Sequence, residues 1–189
     1  MKCYMSIYNF TVDGNVACMD FNPSDSRYPD DLIVSSYRRE RRFLISLQDY
    51  AWCPEDITFD TANRKIFFKW YDNTCEDALP ANWQDQLMQI AKDMHFEEFY
   101  KPSFYPKYFY TDTNGQIHAF NFYTAFDYIE CPVDVEFYRP ILNADRAELI
   151  DSISSKGKLD IKTLMYHAFN KYIQWPDNAL EKIWKAVYE

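Results

Sequence analysis

The sequence predicts an α+β domain: an antiparallel sheet built from hairpins and covered by helices, with a helical C-terminal third. Two observations carry this. Turn signals flanked by alternating aromatic and β-branched residues recur through the first two thirds, and apolar stripes of helical period follow residue 140. A third points the same way, since no glycine-rich strand-to-helix loop of the parallel α/β kind occurs among only 3 glycines.

The first hairpin is expected from Cys3 to Phe21, turning at Asp13-Gly14, with Tyr4, Ser6, Tyr8, Phe10 and Val12 on one face of its first arm. Leu32-Ile33-Val34 reads as strand, and Tyr37 to Leu47 fits a helix or an extended stretch equally. A second hairpin joins Ile57-Thr58-Phe59 to Lys65–Tyr71 through Asp60–Arg64. A third joins Lys107–Tyr110 to Ile117–Tyr123 through Asp112-Thr113-Asn114-Gly115. These two turns share Asp-Thr followed by Asn and Ile, a likeness that ordinary turn chemistry explains as well as an internal repeat does. A short strand is expected at Val133–Tyr138.

Between the last two hairpins, Trp83, Leu87, Ile90, Ala91 and Met94 form a helical stripe, with Asn82 as the expected cap. Further helices are expected at Asn143–Ser155, closed by Gly157, at Asp160–Gln174, and at Asn178–Tyr188 after the break at Pro176. A length of 189 residues suits one domain, with 1–140 mainly hairpins plus one helix and 141–189 a helical portion packed on it.

Composition narrows the partners. The net charge is −9, and the acid is concentrated in the hairpin region: residues 44–80 hold seven acids and three bases. The exception is one basic island, Arg38-Arg39-Glu40-Arg41-Arg42. Its arginines are expected to lie over aromatic rings or to pair with carboxylates before serving any anion site. An acidic surface repels phosphate backbones, so direct nucleic-acid or anionic-membrane binding is disfavoured and a basic protein surface is favoured. The stretch Lys65–Tyr71 is aromatic like a strand of an RNA-recognition sheet, but it lacks that motif's glycines. Sixteen tyrosines exceed what a core can easily satisfy, so some are expected on a functional surface.

No apolar run reaches the length of a membrane span, and the N-terminus alternates rather than forming a secretory leader. Five cysteines, odd in number and widely spaced, read as free thiols, so a cytoplasmic protein is expected. Cys3 and Cys18 could face each other across the first hairpin, which alone makes no disulfide.

Catalytic signatures are sparse. The three histidines, His95, His118 and His167, include no i, i+4 pair, and no nucleophile elbow, P-loop, dinucleotide fingerprint or zinc-protease motif occurs. Pairing of His118 with Cys131 or a carboxylate is conceivable only through the fold. The adjacent acids Asp30-Asp31, Glu55-Asp56, Glu76-Asp77 and Glu97-Glu98 point apart on either a strand or a helix. No metal site and no cofactor are expected.

The expectation is therefore a non-enzymatic acidic protein that docks a Tyr/Asp/Glu-rich face on a basic partner protein, such as a nucleic-acid-handling enzyme. Inhibitor, immunity and counter-defence proteins use the same physics. The residues expected to bind are Tyr71, Asp72, Glu76, Asp77 and Asp112. The competing expectation is a small-molecule or nucleotide site, or an enzyme, with an aromatic-lined pocket between sheet and helices whose polar groups include His118, Tyr123 and Arg139.

Overall fold

The computed structural model describes residues 7–22, 28–101, 103–127 and 175–187. The strand expected at Val133–Tyr138, the helices expected at Asn143–Ser155 and Asp160–Gln174, and Cys3, Cys131, Arg139 and His167 lie outside them.

Strands β1 (Asn9–Asp13) and β2 (Val16–Asp20) form the first hairpin, and β3 (Thr58–Asp60) and β4 (Lys65–Lys69) form the second. Together they make the main sheet in the order β1-β2-β4-β3, every neighbour antiparallel. Because Asp13 pairs with Val16, the two turn residues are Gly14-Asn15, one position beyond the expected Asp13-Gly14. Gly14 takes the positive φ of 58° that this turn requires. Alternation does its usual work: Ala17 and Met19 of β2 and Ile66 and Phe68 of β4 are buried side by side on one face.

The segment that read as strand at Leu32-Ile33-Val34 is instead the start of helix α1 (Asp30–Ser46). Its buried stripe runs through Ile33, Ser36, Tyr37, Glu40, Phe43 and Leu44. The period is helical, but Ser36 and Glu40 are polar, so a stripe sought in apolar residues breaks there. Tyr37 seats the helix on the sheet edge-on to Phe21, with ring centroids 5.7 Å apart, and Phe43 packs on Phe99 at 4.8 Å. The basic island lies on this helix. Arg41 sits over the Phe59 ring and Arg42 pairs with Asp127 at 2.8 Å, the aromatic and carboxylate partners its sequence suggested.

Helix α2 (Trp83–Phe96) buries Leu87, Ile90, Ala91 and Met94 as its stripe requires. Asn82 holds the N-cap position without making a capping bond; its side chain instead accepts from Gln86 Nε2 at 2.8 Å. Two short antiparallel pairs complete the β structure, β5 (Phe99–Tyr100) with β8 (Phe126–Asp127) and β6 (Phe109–Thr111) with β7 (Ile117–Ala119). The second of these is the third expected hairpin. In both similar turns the leading aspartate gathers the loop: Asp60 accepts from Asn63, and Asp112 from the backbone of Asn114 and Gln116. Their likeness is that shared turn chemistry, and the two hairpins belong to different sheets.

Past Pro176, helix α3 (Ala179–Val187) buries Ala179, Leu180 and Ile183. Trp175, just before the break, stacks on Trp83 at 5.8 Å and donates its indole N–H to the Phe104 carbonyl at 2.8 Å. The fold is α+β, as predicted. Its core is aromatic: Phe68, Trp70, Tyr110 and Phe120 meet one another with centroids 4.6–6.3 Å apart. Tilted and edge-on pairs of this kind each add about 0.5–1.5 kcal/mol beyond their buried area.

Candidate functional site

The polar residues that converge come from three separate places in the sequence. The loop 47–57 after α1 is pinned between two strands by backbone bonds, Ala119 N–H to Trp52 C=O at 2.8 Å and Lys69 N–H to Glu55 C=O at 2.9 Å. Trp52 fixes it from outside by donating its indole N–H to Asp93 of α2 at 2.8 Å. This loop therefore carries Glu55 to the β6–β7 hairpin, where Asp112 stands in the turn and His118 on the second strand. One ligating atom from each of Glu55, Asp112 and His118 lies within 4.8 Å of the other two.

His118 is buried, its ring near-parallel to those of Tyr110 at 5.1 Å and Tyr71 at 6.3 Å, which also meet each other at 6.2 Å. Its Nδ1 lies 2.9 Å from the Cys53 carbonyl, which can only accept, so Nδ1 carries the proton. Its Nε2 is buried without a hydrogen-bond partner, 3.9 Å from Asp112 Oδ2. Burial pushes the Asp112 carboxyl up, but the N–H groups of Gln116 and Asn114 outweigh it and hold the group below its ordinary range. Glu55 Oε2 accepts from Lys69 at 2.7 Å and from the Tyr71 hydroxyl at 3.0 Å, and both bonds lower its pKa.

In front of this cluster lies a cleft of 630 Å³ whose walls include Gln48, Asp49, Tyr50, Glu55, Asp56, Phe59, Gln116 and His118. No lysine or arginine is among its described walls. Asp49 and Asp56 are exposed and make no ion pair among the described residues. A second cleft of 510 Å³ is lined by Glu76, Asp77, Tyr105 and Lys107, among others.

The expected site residues are thus divided. Tyr71 and Asp112, expected to bind a partner, stand beside His118, expected in a pocket. Asp72 is nearby, exposed and accepting from the Trp70 indole at 3.2 Å. Glu76 and Asp77 face the second cleft, where Asp77 accepts from Thr74 at 2.5 Å. Tyr123 belongs elsewhere, edge-on to Tyr8 at 5.7 Å, with its carbonyl taking a bond from Arg39. Sequence reading missed Glu55, Asp49 and Asp56. Glu55-Asp56 was visible as an acid pair, but nothing local to residue 55 foretells contact with residue 118.

Among the described thiols, Cys53 and Cys75 are poorly placed for nucleophilic work. Burial pushes Cys53 up to about 12 and Cys75 up to about 11, so neither supplies thiolate at neutral pH. It is the carbonyl of Cys53, rather than its sulfur, that meets His118.

A further polar cluster is closed off from these clefts. Glu40 of α1 and Lys101 are both buried. Burial raises the Glu40 carboxyl and lowers the Lys101 amine, while each charge opposes the other's shift. Glu40 Oε1 accepts from the Asn121 N–H at 3.0 Å, and Lys101 donates to the carbonyl and hydroxyl of Ser103 at 2.7 and 3.0 Å.

No protein-family profile matches the sequence, and no curated protein does. Among solved structures, the chain overlaps WbdD in complex with the kinase inhibitor LY294002 at 10% identity and a TM-score of 0.49, covering 93% of this chain and 43% of that one. It overlaps monomeric WbdD at 8% identity and a TM-score of 0.48, covering 86% and 44%. The chain therefore spans less than half of either protein, and likeness at this level carries no argument about function. No helix among the described residues is long and apolar enough to cross a membrane.

Proposed function

We propose that this is a non-enzymatic binding protein that works in the cytoplasm and docks an acidic, tyrosine-bearing face on a basic surface of a partner protein, in the manner of an inhibitor or immunity protein. The supporting observation is the cleft beside Glu55. Asp49 and Asp56 line it unpaired among the described residues, Tyr50 and Phe59 give it aromatic walls, and no described wall residue is cationic. An arginine or lysine entering it would gain carboxylate partners and an aromatic surface at once. The −9 net charge would steer that encounter and orient it. Tyr71 and Asp112 stand behind this face beside His118 and Glu55, and Glu76 and Asp77 add acid at the second cleft.

The test is affinity capture from native lysate at low and high salt, using the natural chain beside an Asp49→Lys, Asp56→Asn variant. Asparagine is chosen at 56 because that residue has a φ of 54°, which asparagine tolerates. A basic protein should be held by the natural chain at low salt and released at high salt. The variant should associate with it more slowly, on the order of tenfold. Retention indifferent to both salt and variant would end this reading.

A second reading rests on the cleft's size. Its 630 Å³ falls within the range of small-molecule sites, so a small cationic ligand is the alternative occupant. It predicts no protein captured, with the natural chain nonetheless stabilised against heat by cationic compounds in a small-molecule screen.

A further inference from the structure

We propose that Glu55, Asp112 and His118 form a binding site for a divalent transition-metal ion of the zinc type. The inference goes beyond partner docking and does not depend on it.

The argument starts from the buried histidine. Because the Cys53 carbonyl fixes the proton on Nδ1, Nε2 presents a lone pair. Asp112 Oδ2, 3.9 Å from it, is a carboxylate oxygen and also only accepts. In the neutral ring, two acceptors confront each other inside the protein with no donor between them, and Nε2 has no hydrogen-bond partner; only a second ring proton or a bound cation removes the conflict. Such an arrangement is costly unless a cation stands between them. A metal ion answers it directly, since imidazole nitrogen and carboxylate oxygen are among zinc's ordinary ligands.

Distances and supporting bonds agree. Tetrahedral ligands about 2.0–2.1 Å from zinc stand about 3.3 Å apart. The Nε2–Oδ2 gap of 3.9 Å would therefore close by roughly half an ångström, and a pair at the cluster's 4.8 Å limit by about 1.5 Å, within reach of a side-chain rotation. Every ligand already has an orienting partner: Cys53 C=O for His118, the N–H groups of Asn114 and Gln116 for Asp112, and Lys69 with Tyr71 for Glu55. Lys69 and Tyr71 occupy only Oε2, leaving Glu55 Oε1 for the metal. The Lys69 ammonium, 2.7 Å from Oε2, opposes a second cation on this carboxylate and weakens the site. Three protein ligands beside a cleft leave a further coordination position open to whatever enters it.

Isothermal titration of the untagged, chelator-stripped full-length chain with zinc chloride tests this, with magnesium chloride as the hard-ion control. One zinc ion per chain should bind in preference to magnesium. Glu55→Gln and Asp112→Asn should each weaken binding by at least about tenfold. Glu55 is partly exposed, so its variant keeps the fold, and circular dichroism checks both variants. Cobalt substitution gives the second readout: visible ligand-field bands without a thiolate charge-transfer band mark nitrogen and oxygen ligation. No zinc binding, equal binding in the folded variants, or a thiolate band would each overturn the assignment. A thiolate band would assign the metal to the cysteines.

Discussion

The buried pair of Glu40 and Lys101 exposes the energetics of single residues more clearly than any surface charge does. No hydrogen bond joins them; each is satisfied partly by backbone or hydroxyl groups, and Glu40 Oε2 remains without a partner. Removing one partner of a buried pair leaves an uncompensated charge, at a cost of about 3–5 kcal/mol. Lys101→Met should therefore destabilise strongly, although the methionine stem still fits among the Tyr108, Phe109 and Phe122 rings. Adding Glu40→Gln should restore most of the loss, because glutamine keeps an acceptor for the Asn121 N–H. The single variant also acquires a pH signature. Burial raises Glu40 in the folded state, and without the lysine's opposing charge it is raised further. A folded protein that holds a proton its unfolded chain has released loses stability as pH rises. Urea unfolding of Lys101→Met should give a lower free energy at about pH 8 than at about pH 5, and the double variant should lack this slope. A single variant with the same slope as the natural chain would mean that Glu40 is solvated in solution.

At the scale of elements, α1 offers the sharpest test, because it is where sequence and structure part. In a helix Leu44 and Ile45 face different directions, and here Leu44 is fully buried whereas Ile45 is 39% exposed. Leu44→Ala should cost about 2–5 kcal/mol by urea unfolding, and Ile45→Ala about 0.5 kcal/mol or less. Comparable losses at both positions would contradict the packing of this helix. The hairpins were legible because their information is local: Gly14, Asp60 with Asn63, and Asp112 with Asn114 specify their turns within a few residues. The α2 stripe was legible because all its buried residues are apolar. The start of α1 was not, since its buried face includes the polar Ser36 and Glu40, and Glu40 finds its partners in Asn121 and Lys101 far along the chain. The candidate site falls between these cases. Asp112 and His118 flank one recognisable hairpin, but Glu55 joins them only because loop 47–57 is pinned by Ala119 and Lys69. Contacts of that range leave no periodicity to find.

On the scale of the whole molecule, the acid excess should govern how stability responds to salt. A net charge of −9 on 189 residues opposes compaction through self-repulsion, and added salt screens it. Salt also weakens the favourable pairs Arg42–Asp127, Arg64–Asp30, Lys65–Asp20 and Lys185–Glu181. Those pairs are partly or wholly exposed, and such pairs contribute about 0–1 kcal/mol at most. The repulsion acts among all the surplus carboxylates, so it should dominate, and the melting temperature at neutral pH should rise with sodium chloride. Near the sequence pI of about 4.8 the net charge vanishes and repulsion with it, so the rise should shrink there or reverse. Scanning calorimetry at two salt concentrations and two pH values measures all four quantities. A melting temperature that falls with salt at neutral pH would mean that the ion pairs outweigh the repulsion. The acid surplus would then be locally compensated, leaving less of it to attract a basic partner.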